Sequence, residues 1–240
     1  NLINDGTLTG NALTVATKDS SVENSTAGGF INNAVSTLDS LVSEIGSTVT
    51  NAKNAVLTLL GVNSATEIAG TVENAGTLKA KGTQTITLAE NGSLDNTGKV
   101  ESTKTLNVAG GTFSNIGEAV LNGLTVTAGQ VVNAVTGIFK DSGTTTINMA
   151  SADDVAVKNE AVLELTNLTL LKGVIEGGTV GTTQTTVASV ATDGSIDADT
   201  GNFKELTNAG KLEFADLSVA EKLTNTGSIA ADKSVSAASI

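Results

Sequence analysis

Residues 206–219, LTNAGKLEFADLSV, decide how this chain is read. The stretch has two halves: apolar-x-Asn-x-Gly-x-apolar, then, past a short corner, apolar-x-apolar. The first half recurs as Leu2-Ile-Asn4-Asp-Gly6-Thr-Leu8, as Val72-Glu-Asn74-Ala-Gly76-Thr-Leu78, as Leu94-Asp-Asn96-Thr-Gly98-Lys-Val100 and as Leu223-Thr-Asn225-Thr-Gly227-Ser-Ile229. A looser copy runs from Phe113 through Asn115 and Gly117 to Val120. The second half follows at Leu13/Val15, Ile86/Leu88, Leu106/Val108, Leu217/Val219 and Val235/Ala237. Asn74, Asn96 and Asn115 are spaced by 22 and 19 residues, and Asn208 and Asn225 by 17. A unit this short cannot bury its own apolar face, so the copies must stack, and the period specifies a solenoid.

The unit has a physical logic. Alternating apolar residues place every second side chain on one face of a strand. Two short strands and a corner make one coil, and stacked coils give parallel sheets. About ten rungs are expected, spanning roughly 50 Å at the usual spacing of parallel strands. Parallel strands joined by crossovers are right-handed by strong general preference. Glycine supplies the positive φ that a tight corner can require. Asparagine tolerates that region and bonds local backbone. Stacked at one corner, Asn4, Asn74, Asn96, Asn115, Asn208 and Asn225 are expected to form a structural amide ladder that satisfies buried polar groups.

Composition agrees with a narrow interior. Of 240 residues, 39% are hydrophobic but only 2% aromatic, all phenylalanine, and there is no Pro, Cys, Trp, Tyr or His. All 13 basic residues are lysine. Alternation at this hydrophobic content argues against disorder. The net charge of −12 opposes nucleic-acid binding and docking on anionic lipid. No apolar run is long enough to insert in a membrane as a helix, and no signal peptide is evident. The absence of cysteine removes disulfides and thiolate-bound metals.

One segment breaks the period. Residues 1–24 read as a first rung. Between 25 and 61 apolar residues fall at 31, 34, 35, 38, 41, 42, 45, 49, 52, 56 and 59, which is helical spacing. Gly46-Ser47 suits a helix stop followed by a cap, and Gly61 a final stop. The expected fold class is therefore all-β: a right-handed parallel β-helix with an α-helix or helical hairpin inserted over 25–61, and about nine further rungs over 62–240. The insert would pack on the flank or an end of the solenoid, or bind a partner. Residues 71–128 and 201–240 repeat cleanly and 129–200 less so. Asp153-Asp154 and Lys158-Asn159-Glu160 read as an outward loop.

Little in the chain is equipped for chemistry. Without histidine there is no Ser-His-Asp site, and without cysteine no thiol nucleophile. No phosphate-binding fingerprint occurs. Sugar-processing sites on β-helices draw on aromatic platforms and arginine, absent here. No enzymatic activity and no cofactor are expected. The one metal candidate is calcium at Asp193, Asp197, Asp199 and Glu205, hard oxygen ligands in a Gly-containing stretch that departs from the EF-hand pattern at Gly201. Its plainer reading is an acidic solvated turn. Thr-x-Thr pairs at 83/85, 103/105, 125/127, 144/146 and 183/185 could stack as a flat threonine face of the ice-binding kind, or simply suit exposed strands.

The Leu-x-Asn-x-Gly-x-Leu units followed by Leu-x-Val-Ala, best seen in LTNAGKLEFADLSVAEKLTNTGSI at 206–229, resemble the repeats of filamentous-haemagglutinin-like and autotransporter-type bacterial adhesins. The resemblance covers about 1–16, 71–128 and 201–240. It implies a right-handed β-helical shaft, an extracellular or cell-surface location, and a non-enzymatic role in adhesion. Host receptors or surface glycans would then be engaged by regions outside this chain. The Asn-Pro-Asn motif of that family's secretion domain has no counterpart, since proline is absent. Composition also resembles S-layer proteins, so the alternative is a subunit of a homopolymeric filament or S-layer. Placing Asn1 after Ile240 sets Asn225 and Asn4 19 residues apart, in phase for end-to-end stacking. The expected partners are thus other copies or neighbouring repeats. The same phase would follow if the chain were a fragment of a longer array, or a processed form.

Overall fold

The computed structural model describes the chain except residues 1, 5–6, 11–13, 16–20, 25–28, 63–64, 83–84 and 240, with side chains described from Gly29 onward. The described residues form one continuous parallel β-solenoid. Each turn lays down three strands rather than the two expected, so the coil has three faces and three corners.

The first face is built from Leu2–Asn4, Ser21–Asn24, Ser40–Ser43, Thr66–Ile68 and Ile86–Leu88. It continues through 106–108, 124–126, 145–147, 168–170, 187–190, 205–208 and 222–225, about a dozen turns in all. The second face begins Thr7–Gly10, Gly29–Asn32, Thr48–Asn51, Thr71–Asn74 and Ser93–Asn96, and ends at 228–231. The third begins Thr14–Val15, Val35–Leu38, Val56–Leu59, Thr77–Ala80 and Lys99–Ser102, and ends at 234–237. Every pairing among these strands is parallel, and most positions stand on their counterparts below; register shifts fall mainly at the corners, with one inside the second face at Ala156.

That stacking makes the core. Val100, Leu106 and Val108 point inward, as do Leu78, Ile86 and Leu88 one turn earlier, and buried apolar side chains form one cluster from Phe30 to Leu223. Phenylalanines fill the wider points: Phe113 and Phe139 lie 6.2 Å apart between ring centres, as do Phe203 and Phe214.

The expected helix is absent among the described residues. Within 25–61, residues 25–28 lie outside the described set, and 29–61 form five strands, Gly29–Asn32, Val35–Leu38, Ser40–Ser43, Thr48–Asn51 and Val56–Leu59. Among the described residues no helical domain separates two solenoid parts; the strands at 29–61 pair on both sides with their neighbours. The misleading period has a clear origin. Inward positions here are shared between apolar Phe30, Leu38, Leu41, Val49, Leu57 and Leu59 and polar Asn32, Ser36, Ser43, Ser47 and Asn51, all buried. Meanwhile apolar residues also occupy outer positions, Val35 at 58% and Ile45 at 57% exposure. Apolar residues on both sides of a strand erase the alternation and mimic a spacing of three and four. Valine and threonine recur through 35–58, and their branched side chains favour a pleated surface over a helix. Gly46 sits in the turn between two strands with φ of 85°, and Ser47 bonds Ser43 across the corner at 2.8 Å.

The Asn-x-Gly glycines serve a different purpose from the one expected. Gly76, Gly98, Gly117, Gly210 and Gly227 do not take positive φ. They are required by close approach: a Cβ on Gly98 would collide with the carbonyl of Gly76 one turn below, and one on Gly117 with the carbonyl of Gly98. At Gly76, Gly98, Gly117 and Gly227 two successive amides share one carbonyl, as Thr97 and Gly98 do on Asn74 at 2.9 and 3.0 Å, whereas the Gly210 amide donates to Asn208 Oδ1 at 3.1 Å.

Candidate functional surface

The corner between second and third faces carries an amide ladder. Asn32, Asn51, Asn74, Asn96, Asn115, Asn133 and Asn159 stand in one column, each buried. Each Nδ2 donates to the next Oδ1 at 2.7–2.9 Å: Asn32 to Asn51, Asn51 to Asn74, Asn74 to Asn96, Asn96 to Asn115, Asn115 to Asn133 and Asn133 to Asn159. Several amides also reach a third-face carbonyl, as Asn74 does with Lys99 O at 2.9 Å. The ladder ends at Asn159, whose Nδ2 turns to the carbonyls of Ala161, Gly177 and Thr179. Asn159 is thus an inward residue and not part of an outward loop.

The single expected column is in fact two. Asn74, Asn96 and Asn115 belong to the ladder just described. Asn208 and Asn225 bond each other at 2.7 Å at a different corner, between first and second faces. Below Asn208 that column holds apolar Val190, Leu170 and Ile147. At the far end of the same column lie Asn4 and Asn24, in register, their side chains outside the described set. Gly6 and Leu13 also fall outside it. Asn32, Asn51, Asn133 and Asn159 escaped the sequence reading because none has glycine two residues on; the shared signal was only apolar-x-Asn, as in Phe30-Ile-Asn32 and Val157-Lys-Asn159.

A further buried polar group closes the corner from third to first face. Asp141 is 2% exposed. Its Oδ1 accepts the amides of Gly123 and Gly143 at 2.6 and 3.0 Å, and its Oδ2 the hydroxyl of Thr145 at 2.6 Å. At the equivalent corner of an earlier turn, Asp39 accepts Val62 N–H through Oδ1 at 2.9 Å.

Charge is distributed unequally over the faces. The third face carries alternating ions: Lys99 bonds Glu101 at 2.9 Å and Glu118 at 3.2 Å, Lys79 lies 3.7 Å from Glu101, and Lys140 bonds Glu164 at 3.0 Å. The hydrogen bond from Lys99 holds the Glu101 carboxyl below its ordinary value, and the bonds to Glu101 and Glu118 hold Lys99 above its own. The second face bears in-register carboxylates at Glu176, Asp197 and Glu213. They line two adjoining open grooves of about 390 and 440 Å³, with Asp199 and Asp232 in one and Asp153 and Asp193 in the other. Lys211 bonds Glu213 at 2.7 Å there, which raises the lysine pKa.

The calcium candidates are split: Asp193, Asp197 and Asp199 line these two adjoining grooves, and Glu205 lies apart. Asp193 pairs with Lys172 and Asp197 with Glu176 along the second face, Asp199 precedes the third, and Glu205 pairs with Lys222 on the first face a turn later. Among the described residues no three acids are grouped to hold a metal ion. The Thr-x-Thr pairs are dispersed. Thr103 lies at a corner, Thr144 and Thr146 share the first face, Thr182 and Thr185 bond each other in a turn, and Thr83 is outside the described set. What stacks instead is a single outward column, Thr87, Asn107, Thr125, Thr146, Thr169 and Ser189. Among the described residues no helix is long and apolar enough to cross a membrane.

Together these features define a solenoid whose corners are tied by buried polar ladders and whose faces differ in charge. Compared with family models, curated proteins and solved structures, the chain finds no match.

Proposed function

We propose that the chain is a non-enzymatic structural segment, a β-solenoid shaft of a secreted or cell-surface bacterial adhesin. The observation that carries the reading is the turn-on-turn parallel stacking of three faces with the amide ladder from Asn32 to Asn159 along one corner. From Asn32 to Asn159 each turn is hydrogen-bonded to the next through backbone and side chain, which resists bending and shear and suits a spacer. The sequence resemblance of 206–229 to adhesin repeats supports the biological setting. Receptor or glycan binding would belong to regions outside this chain.

A second reading has its own observation. Asn4 and Asn225 occupy the same corner, in the column that runs Asn4, Asn24, Ser43 to Val190, Asn208, Asn225. Continuing the coil past Asn225 with residues like those around Asn4 would extend the ladder, whether from further repeats or from a second copy. This favours end-to-end stacking, as in a surface filament or S-layer.

Negative-stain microscopy with light scattering over a concentration series tests both. Stiff rods about 50–60 Å long, set by about a dozen turns at the parallel-strand spacing, are expected for the shaft. Filaments one solenoid wide that lengthen with concentration would replace it with the polymer. Compact or flexible particles would sink both.

A further inference from the structure

Over six consecutive turns the centre of the first face's outer side carries no charge; charge begins at its rim, where Lys172 and Asp193 stand in register with Asn148. Its central column is Thr87, Asn107, Thr125, Thr146, Thr169 and Ser189, in register. The positions two residues before and after each of these hold only Thr, Asn, Gly, Ala, Val and Leu. Among the described residues, the hydroxyls of Thr125, Thr146 and Thr169 have no partner within the chain. The chain as a whole carries a net charge of −12.

We propose that this face is a lateral contact between two copies of the chain. Approach through the second face would bring the stacked carboxylates of Glu176, Asp197 and Glu213 together with like charges. Approach through the third would disturb ion pairs already made, such as Lys99–Glu118 and Lys140–Glu164. The first face lets two acidic chains meet without burying an unpaired charge. Hydroxyl and amide groups both donate and accept, so the surface is self-complementary about a twofold axis. Six turns at about 4.8 Å and a strand width of about 17 Å give roughly 500 Å² per copy. The total of about 1,000 Å² sits at the lower edge of specific interfaces, so the pair is weak and matters where copies are crowded. The inference does not depend on the shaft reading: side-by-side pairing doubles particle width, whereas end-to-end growth lengthens it.

The test uses three substitutions on alternate turns, Thr87→Lys, Thr125→Lys and Thr169→Lys, and a matching set to Glu. Sedimentation equilibrium of the unsubstituted chain should show a monomer–dimer equilibrium at physiological salt. Each triple variant alone should lose dimer at least tenfold, with far-UV circular dichroism unchanged. Mixing the Lys and Glu variants should restore association, and added salt should weaken it. That rescue separates a contact surface from a folding defect. The proposal is overturned if the unsubstituted chain stays monomeric throughout, or if association survives the substitutions and is therefore end-to-end. A monomeric chain that slows ice recrystallisation, and loses that effect in the variants, would assign the hydroxyl array to ordered water and equally overturn it.

Discussion

Asn96 donates from Nδ2 to Oδ1 of Asn115 at 2.8 Å, across 19 residues of chain and one turn of the coil. Its own Oδ1 accepts Asn74 Nδ2 at 2.7 Å, and its Nδ2 also reaches Glu118 O at 3.0 Å. Both asparagines are buried. An amide is a donor and an acceptor at one planar end, which is what a position between two identical neighbours needs.

Asn96→Ala should therefore cost about 2–4 kcal/mol, since it leaves Asn115 Oδ1 and one Asn74 donor without their partner and opens a void. Urea unfolding should show a lower midpoint with unchanged slope. Asn96→Asp keeps the shape but loses the donor. At neutral pH it sets a carboxylate against Asn115 Oδ1 and Glu118 O, so it should be at least as destabilising as alanine. Burial and those acceptors raise the folded pKa of that acid, so the deficit should shrink as pH falls and the protonated form donates again. An aspartate variant as stable as the parent at pH 7 would mean the ladder contributes nothing.

Much of this architecture is legible in the chain because the repeat is a register device. Leu94-Asp-Asn96-Thr-Gly98 and Val72-Glu-Asn74-Ala-Gly76 show the stacking partners directly, and their strands do pair. The corner assignment is not legible. The same motif closes the second-to-third corner at Asn96 and the first-to-second corner at Asn208, because a three-sided coil offers similar corners and sequence spacing does not say which. The strands at 29–61 were hidden by Asn32, Ser36, Ser43 and Asn51 pointing inward where an apolar residue would have kept the alternation. Asp141 was hidden for a related reason: a single acid in Phe139-Lys-Asp141-Ser-Gly reads as solvated until three donors are found around it. Of the candidate surface, the uncharged column was only glimpsed through threonine pairs, since its members share a face and not a spacing.

Gly98→Ala tests the close-approach account. The added Cβ meets the Gly76 carbonyl and the Ala75 backbone, neither of which can swing aside. A loss of about 2–4 kcal/mol is expected from the forced separation of two turns. Gly46→Ala should behave differently: Gly46 is exposed with φ of 85°, so the cost is conformational, about 1–2 kcal/mol. Thermal melts of the two variants should rank in that order. The reverse order would mean that backbone conformation, not contact, governs the Asn-x-Gly corner.

Asp141 offers a sharper contrast. Asp141→Ala strands the amides of Gly123 and Gly143 and the Thr145 hydroxyl in a buried corner, with an expected cost of about 3–4 kcal/mol. Asp141→Asn keeps an oxygen for the two amides and presents an NH₂ to Thr145, whose hydroxyl can rotate to accept, so about 1 kcal/mol is expected. Chemical denaturation of both variants checks this. Equal losses would show that the charge, not the hydrogen-bond geometry, is what the corner requires.

The Lys99–Glu101 pair sets a pH window with a definite sign. The hydrogen bond from Lys99 lowers the folded pKa of Glu101 below its ordinary 4.5, so the stability it brings is complete above 4.5 and is lost as pH falls through the folded value. The hydrogen bond to Glu101, with a second to Glu118, raises Lys99 above 10.5, so its share is complete below 10.5 and is lost as pH rises through the folded value. The coupling is therefore full between those two limits. Both side chains are more than a third exposed, at 37% and 38%, so solvent screens the pair. A double-mutant cycle with Lys99→Met and Glu101→Gln should yield only about 0.2–0.5 kcal/mol at neutral pH, falling toward zero at strongly acid pH and in high salt. A coupling that persists at acid pH would have to come from packing of the two stems along the third face, and the ion ladder would then be ornament on a stack held together by its asparagines and core.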